Sequence, residues 1–277
     1  MISPIAVETA DVSNLPDLMA LVAEVGWPHT PEDISSLLLL GRPWRAMDPE
    51  SGETIGVAVW WPMGRGYGRV GLVIVSTKHQ GHGIGRAMMQ KVMEDAGACS
   101  LVLLATEEGK PLYEKLGFET VGLTQRHQGR YAHSPTSESG VHPACSEDLN
   151  EIVALDRNVT GFDRSPMITQ MFDVGSATLL RVNDQITGYA ITRRFGLGHV
   201  LGPLVARNEN DAKALFSATA RPGVLRVDRL VETENLGRFL EARDLPGHEI
   251  THSMVRGTSP KSSGQGRIFS MAGHAWG

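Results

Sequence analysis

The chain has 277 residues, of which 41% are hydrophobic and 21% are charged, and its formal net charge is −5. The composition is that of an ordinary globular protein, and the length is sufficient for two domains. The acidic balance argues against nucleic acid as the main partner, and no apolar stretch is long enough to span a membrane. The two cysteines make no disulfide framework, and there is no secretory signal pattern. We therefore expect a cytoplasmic protein.

Strand and helix patterns alternate in the first half of the chain. Thr30 is followed by Pro31 and two acids, which predicts a helix start at this position. The continuous apolar run of Arg69–Val75 is typical of a central strand that is covered on both faces. The predicted elements in chain order are strand Ile2–Val7, helix Asp11–Val25, a helix from Thr30 to Gly41, strands Trp44–Met47, Ile55–Trp61 and Arg69–Val75, helix Ile84–Ala96, strand Ser100–Ala105 and helix Pro111–Leu116.

A polar segment rich in Ser, Pro and Gly covers residues 133–140 and reads as a linker. We place a domain boundary there, with one domain at residues 1–134 and the other at residues 141–277. The second domain repeats the pattern of the first in degraded form. Its predicted elements are strands Thr178–Val182, Ile186–Arg193 and Val200–Val205, helix Asn210–Ala218, strand Val224–Val227 and helix Glu234–Arg243.

The proposed repeat can be aligned around the last helix of each half. When ENLGRFLEARDL is laid on EEGKPLYEKLGF, Leu240 falls where Tyr113 stands and Asp244 falls where Gly117 stands. The second half is five residues shorter after its central strand, and the missing part is a glycine-rich loop. We therefore expect only the first half to bind an anionic cofactor, and the second half to shape the acceptor site or an oligomer interface, for example in a homodimer.

The glycine-rich loop lies between the central strand and the next helix, with Gly81, Gly83 and Gly85 at alternate positions. Glycine allows a positive φ and a close approach of the backbone to a ligand. The first turn of the helix offers unpaired N–H groups and the positive end of the dipole, which favours a pyrophosphate. The string lacks the GxxxxGK[ST] of a Walker A loop and differs from the GxGxxG dinucleotide fingerprint. A glycine-rich turn without a ligand is the remaining alternative.

Two strings together resemble a known family. Gln80–Gly85 (QGHGIG) resembles the Q/R-x-x-G-x-G/A signature of the GCN5-related N-acetyltransferase (GNAT) superfamily, and Leu112–Phe118 (LYEKLGF) resembles that family's characteristic helix end. The resemblance is strong over residues 1–132. The whole chain resembles bacterial two-domain members that end in a string like RIFSMAGHAWG. The implied fold is α+β, with tandem GNAT-like domains, each a mixed, mostly antiparallel sheet flanked by helices.

The resemblance also implies roles for matching residues, with acetyl-CoA as co-substrate. The backbone of Val73, Ile74 and Val75 is expected to pair with the pantetheine arm, and a splayed strand there is expected to admit the thioester. Tyr113 matches the tyrosine that protonates the departing thiolate in many members, and Thr106 stands where many members have an Asn. The residues expected to form the phosphate loop are Gln80, Gly81, His82, Gly83, Ile84, Gly85 and Arg86.

The predicted reaction is transfer of an acetyl group to a primary amine of a small molecule, by direct attack of the amine on the thioester. Tyr113 is the predicted general acid, although a core aromatic residue is the plain alternative. The general base is not evident from the sequence; its candidates are Glu24, His29, Asp33 and Glu108. Trp27, His29 and Arg164 are the predicted acceptor-site residues, each with a surface-loop role as the alternative. We expect no metal site, because the histidines have no metal-ligand spacing.

Two other functions stay open at this point. One is an acyl-CoA-binding sensor that has lost turnover. The other is an acetyltransferase for the amine of a protein or peptide. The loop and Tyr113 are both present in the first half, which favours an enzyme over a sensor.

Overall fold

The computed structural model describes residues 5–262 and 264–276. The first half contains strands β1 (Ala6–Thr9), β2 (Arg42–Met47), β3 (Thr54–Pro62), β4 (Tyr67–Val75), β5 (Ser100–Ala105) and β6 (Glu119–Tyr131), and helices α1 (Leu15–Glu24), α2 (Pro31–Leu40), α3 (Ile84–Ala96) and α4 (Lys110–Lys115). The second half contains strands β7 (Val141–Pro143), β8 (Ser176–Val182), β9 (Gln185–Phe195), β10 (Gly198–Ala206), β11 (Gly223–Leu230), β12 (Gly247–Arg256) and β13 (Arg267–Met271), and helices α5 (Leu149–Thr160), α6 (Ser165–Val174), α7 (Glu209–Thr219) and α8 (Glu234–Glu241).

Most predicted elements are present with small shifts at their ends. The helix Ile84–Ala96 and the strand Ser100–Ala105 have the predicted bounds. The helix predicted after Thr30 begins at Pro31, because the Thr30 hydroxyl accepts the N–H of Asp33 while the Asp33 carboxylate accepts the N–H of Thr30. The predicted strand Ile2–Val7 is described only from Ile5 onward, and its first residues lie outside the described part.

The strands of both halves form one continuous sheet, in the order β1-β2-β3-β4-β5-β12-β6-β11-β13-β10-β9-β8-β7. Most neighbours in it are antiparallel, while β4 pairs with β5 and β10 pairs with β11 in parallel. Helices flank this sheet, so the predicted mixed, mostly antiparallel α+β architecture is confirmed. The two halves share this single sheet, so the sheets of the tandem domains are continuous with each other.

The halves are joined by an exchange of strands at the centre of the sheet. β6 leaves the first half and pairs with β11 along Thr124–Tyr131. β12 leaves the second half and pairs with β5 along Leu101–Ala105. β6 and β12 then pair with each other. Each half therefore completes its sheet with a strand from the other half, as in a domain swap within one chain.

Alternation along the strands distributes the core between the two faces of the sheet. In β3, Val57, Val59 and Trp61 pack on the face covered by α1 and α2, in a core cluster that also takes in side chains from α5 and α6. Ala58 and Trp60 point to the other face, where α3 covers the first half. A third cluster lies under α7 and α8 in the second half. The first of these clusters thus draws many side chains from both halves, and the other two each take in one residue from the opposite half, Met254 and Tyr131.

Residues 132–138, near the predicted boundary, contain no helix or strand. Of the helices in the described part of the chain, none has the length and apolar character needed to cross a membrane.

Candidate functional site

A cleft opens where β4 and β5 separate, and we call it the central cleft. The first half lines it with Val70–Val73, Leu103, Leu104, Thr106, Tyr113 and the α1–α2 loop at Trp27–His29. The second half lines it with Arg193, Phe195, Arg226, Glu249 and the C-terminal segment Gly273–Trp276. Both halves therefore build the same site.

The opening of the cleft follows from the pairing of β4 with β5. Their pairing covers Tyr67–Arg69 of β4 and Ser100–Val102 of β5, and the strands diverge beyond those residues. A bulge in β4 shifts its register against β3, and Leu72 in this bulge has a positive φ of 51°. A positive φ is uncommon for leucine and marks a constrained backbone. The bulge therefore re-aims β4 where the cleft begins.

The glycine-rich loop has the backbone geometry that an anion site needs. Gly81 and Gly83 both have φ of 81°, and a Cβ at either position would meet nothing within 4 Å. Gly83 is the N-cap of α3 and no side chain caps this end of the helix. Gly85 differs, since a Cβ there would lie 3.2 Å from Leu112 Cδ2. The first two glycines thus face open space, and the third allows α3 to pack against Leu112 of α4.

The other residues of the predicted phosphate loop have varied surroundings. The Gln80 side chain donates a hydrogen bond of 3.2 Å to the carbonyl of Val75, which ties the loop to the end of β4. His82 Nδ1 lies 3.3 Å from the carbonyl of His79. Ile84 is buried in the core beneath α3, whereas Arg86 is exposed in the first turn of that helix.

Tyr113 projects from α4 into the central cleft, with 7% of its side chain exposed. Burial raises the pKa of its phenol to about 12, so the hydroxyl is protonated at neutral pH. Phe118 packs edge-on against its ring at a centroid distance of 5.9 Å. Thr106 also lines the cleft, and its hydroxyl accepts the N–H of Gly109 ahead of α4. The geometry leaves Tyr113 able to donate a proton into the cleft.

The cleft also brings together the predicted acceptor-site residues Trp27 and His29. The His29 ring lies 5.8 Å from Trp27 and 5.1 Å from Phe195 between ring centroids. Burial lowers the pKa of His29 to about 4, with further lowering by Arg226 and Arg193, so this imidazole is neutral at neutral pH. Asp33 lines the same cleft and lies 3.7 Å from Arg193 Nη1.

The structure corrects the prediction for Arg164. Its guanidinium is 3% exposed and donates two hydrogen bonds of 2.8 Å to the Asp156 carboxylate. Tyr189 donates to the same carboxylate. Arg164 is absent from the cleft lining because a buried carboxylate in α5 holds it inside the second half.

Two of the candidate bases also lie away from the cleft lining. Glu24 accepts hydrogen bonds from the Thr77 N–H at 2.7 Å and from the Ser76 hydroxyl at 3.1 Å. It therefore anchors the end of β4 instead of facing the cleft. Glu108 is exposed and is not part of the lining. His29 and Asp33 remain as candidates from the predicted set.

The second half was expected to shape the acceptor site or an oligomer interface, but the charged residues with which it lines and supports the cleft were not predicted from the sequence. Arg193 and Arg226 are each 6% exposed, and Asp228 beside Arg226 is fully buried. His274 Nε2 lies 3.7 Å from Asp228, and burial lowers the pKa of His274 to about 4. Burial raises the pKa of Asp228, but His274 and Arg226 lower it by more, so this carboxylate is ionised. The sequence carried one signal for them, namely the arginines Arg193 and Arg226 inside predicted strands. This signal is weak, because arginines in strands are common on protein surfaces.

The proposed alignment of the two halves holds in the structure. The carbonyl of Tyr113 accepts the N–H groups of Leu116 and Phe118, and the carbonyl of Leu240 accepts those of Arg243 and Leu245. Gly117 and Asp244, which the alignment equates, both have a positive φ. Leu240 is fully buried.

The second half differs from the first at the place equivalent to the glycine-rich loop. Asn208 caps α7, and its side-chain oxygen accepts the N–H groups of Asn210 and Asp211 at 3.0 Å. Glu209 and Asp211 add negative charge in the first turn. β13 pairs with β10 along Leu204–Ala206, between β10 and β11. The chain itself therefore occupies the gap that stays open between β4 and β5.

Comparisons with known proteins agree on the kind of domain. Residues 42–120 and residues 152–270 each match a family model described as an acetyltransferase (GNAT) domain. The chain is 27% identical over 218 residues to an uncharacterized N-acetyltransferase, YitH, of Bacillus subtilis, with 76% of this chain and 77% of that protein covered.

Solved structures show the same fold along the whole chain. A putative acetyltransferase from Pyrococcus horikoshii superimposes with a TM-score of 0.79 at 17% identity, covering 100% of this chain and 97% of that one. A tandem GNAT protein from the clavulanic acid biosynthesis pathway superimposes with a TM-score of 0.63 at 12% identity, covering 92% of this chain and 100% of that one.

Proposed function

The chain belongs to the GNAT superfamily and is an acyltransferase with tandem GNAT domains, and on this premise we propose that it transfers an acetyl group from acetyl-CoA to a primary amine of a small molecule. The observation that carries the proposal is the position of Tyr113 in the central cleft, beside the point where β4 and β5 separate. The proposal includes two domains, at residues 1–134 and 141–277.

The cofactor binds the first half. The N–H groups around Gly81–Arg86 hold the pyrophosphate, because the uncapped N-terminus of α3 provides donors and a positive dipole end. The pantetheine arm lies against Val73–Val75, where β4 has no strand partner on the β5 side. The thioester then points into the central cleft near Tyr113.

The chemical step needs only a few groups. The neutral amine attacks the thioester carbonyl carbon, a C–N bond forms and the C–S bond breaks as the tetrahedral intermediate collapses. The Tyr113 hydroxyl gives its proton to the departing thiolate, and the proton lost by the amine leaves to a base or to water. A phenol with a raised pKa remains protonated until the thiolate forms, which suits a general acid.

The amine binds in the part of the cleft built by both halves. Trp27, Phe195 and Trp276 provide aromatic walls for a small molecule. Of the candidate bases, His29 is the proposed proton acceptor. Its imidazole is neutral, and its buried Nδ1 makes no hydrogen bond within the described part of the chain. Asp33 is already engaged in the helix cap and with Arg193.

One acetyl-CoA binds per chain under this proposal. In the second half Asn208 occupies the helix N-terminus, β13 fills the gap beside β10, and Leu240 replaces the phenol. The second half instead supplies Arg193, Arg226 and the segment Gly273–Trp276 to the acceptor site.

A thiol-release assay with acetyl-CoA and a panel of small amines, peptides and intact proteins tests the function. We expect CoA release that depends on a small amine. Tight acetyl-CoA binding without turnover of any acceptor would support the alternative of an acyl-CoA sensor. Turnover confined to peptides or proteins would support the alternative of a protein acetyltransferase.

A further inference from the structure

Two buried arginines that line the central cleft lie close to the same aromatic ring. Arg193 Cζ lies 5.6 Å and Arg226 Cζ lies 5.2 Å from the centroid of Phe195. Both arginines line the cleft, although each is only 6% exposed. Burial lowers the pKa of Arg193 to about 10, and Arg226 is among the charges that lower it. The Arg193 guanidinium thus remains charged at neutral pH, and Arg226 is close enough to repel it.

Each guanidinium is only partly satisfied by the protein. Arg193 Nη2 donates to the carbonyl of Ala272 at 2.9 Å, and Arg226 Nε donates to both Asp228 oxygens at 2.9 and 3.1 Å. Arg193 Nε and Arg226 Nη2 are buried, and neither donates to any acceptor in residues 5–262 and 264–276. Buried donors are nearly always hydrogen-bonded in folded proteins. Two free charged donors beside one cleft indicate that a ligand supplies the acceptor atoms.

The charges around the pair favour a singly charged anion. Asp33 lies 3.7 Å from Arg193 and Asp228 contacts Arg226, so each arginine already has one carboxylate near it. Arg126 and Glu249, which also line the cleft, pair with each other at 3.1 Å. A phosphate would bring about two further negative charges into this nearly balanced set. A carboxylate brings one charge and two coplanar oxygens, which suit guanidinium donors.

Resting on the proposed function, we infer that the acceptor carries a carboxylate as well as its amine, as an amino acid or another aminocarboxylic acid does. Arg226 and Arg193 bind the carboxylate through their free N–H groups. The amine then points toward the thioester and Tyr113, at the first-half side of the cleft.

The substrate preference of the unmodified protein tests the inference directly. A panel of free amino acids is assayed for acetylation, each beside its decarboxylated amine, its carboxamide and its aminophosphonate analogue. We expect kcat/KM for the carboxylate to exceed that for the amine and the carboxamide by about 100-fold or more, because the analogues leave buried charged donors unpaired. Equal kcat/KM for the decarboxylated amine would overturn the carboxylate assignment while keeping the acetyltransferase. A preference for the phosphonate would also overturn it, and failure of every amine would remove the proposed function itself.

Conservative variants test the two residues. Arg226→Lys and Arg193→Lys keep the charge but lose the fork of donors, and we expect the ratio of kcat/KM for carboxylate to kcat/KM for decarboxylated amine to fall about 10- to 100-fold. The KM for acetyl-CoA should stay within about twofold. Arg238→Lys is the matched control, since the Arg238 side chain is 72% exposed in α8.

If the two arginines had a merely structural role, their variants would lower kcat/KM for the carboxylate and for the decarboxylated amine together and leave the ratio of the two unchanged. An unchanged ratio in folded Arg226→Lys and Arg193→Lys proteins would therefore overturn the role of the pair. Thermal melting checks that each variant is folded. If neither variant folds, the substrate preference of the unmodified protein decides the inference.

Discussion

Arg69 in the first half holds the C-terminal segment in place by donating a hydrogen bond of 2.9 Å from Nε to the carbonyl of Ala275. Its Nη2 donates to the neighbouring carbonyl of His274 at 2.8 Å. Arg69 lies on β4, where the pairing with β5 ends. One buried side chain thus connects the strand that opens the cleft with a segment about 200 residues later that lines it.

We expect Arg69→Lys to impair acceptor binding more than cofactor binding. Lysine cannot present two fixed donors to the adjacent carbonyls of His274 and Ala275, so the segment loses its alignment. The KM for the amine should rise about 10-fold, in line with loss of one or two charge-assisted hydrogen bonds. Steady-state kinetics with each substrate varied in turn measures this. A rise in the KM for acetyl-CoA alone would contradict the assignment of the segment to the acceptor site.

Tyr113→Phe should lower kcat by about 10- to 1000-fold, because the departing thiolate loses its positioned proton donor. The ring still fills its place against Phe118, so stability and the KM for acetyl-CoA should change little. Rapid-mixing measurements of CoA release give the rate of the chemical step. Unchanged turnover would mean that water or another group protonates the thiolate.

Gly83→Trp should abolish acetyl-CoA binding by filling the space in front of the α3 N-terminus. The positive φ of Gly83 adds backbone strain, so a control for strain alone is needed. Gly52→Trp provides it, because Gly52 has φ of 72°, also faces open space and lies in the β2–β3 turn. Calorimetry with CoA measures both variants. Equal CoA affinity of Gly83→Trp and Gly52→Trp would count against the glycine-rich loop as the cofactor site.

Calorimetry on the intact chain should give one CoA per chain. The second helix N-terminus is capped by Asn208, and β13 occupies the gap beside β10. Asn208→Ala should therefore leave the stoichiometry at one, since the gap remains filled. Two equivalents of similar affinity would show that the second half also binds the cofactor.

Removing residues 139–277 should prevent the first half from folding on its own. β5 pairs with β12, and β6 pairs only with β12 and β11, so the fragment would leave one edge of β5 and both edges of β6 unpaired. Circular dichroism and thermal melting of the fragment test this, with a mixture of both fragments as the control for complementation. A cooperatively folded fragment with full kcat/KM would show that the second half neither completes the sheet nor builds the acceptor site.

Acid should destabilise the protein through two neutral histidines. The pKa values of His29 and His274 are lowered to about 4 by burial, against about 6.5 in the unfolded chain. Between these values the unfolded state binds more protons, so stability is fully present above about pH 6.5 and falls as the pH drops toward 4. His29→Gln should reduce this acid-induced loss of unfolding free energy by on the order of 1–3 kcal/mol at pH 4.5. His142→Gln should leave the loss unchanged, since His142 is exposed. Urea unfolding at several pH values measures both, and identical profiles would contradict the burial of neutral His29.

Local patterns in the sequence determined the elements that carry the proposed cofactor site. Ile84–Ala96 has a helical apolar face and follows glycines, which favour the positive φ found at residues 81 and 83, so its start could be predicted without the fold. The repeat register also followed from sequence, because Tyr113 and Leu240 sit at matching helix ends. These features depend on neighbours within a few residues, which a sequence displays directly.

Only the tertiary structure decided how the two halves meet. β6 is a long strand with many polar residues, and neither it nor β12 carries a local signal for the partner it pairs with. Their exchange depends on pairing between residues far apart in the chain, from Tyr131 with Gly223 to Leu101 with Arg256. The same exchange brings Arg226 and the segment after β13 to the cleft beside Tyr113. Strand pairing over such distances is set by the packing of the whole sheet, so the shape and charge of the acceptor site could not be predicted from residue spacing.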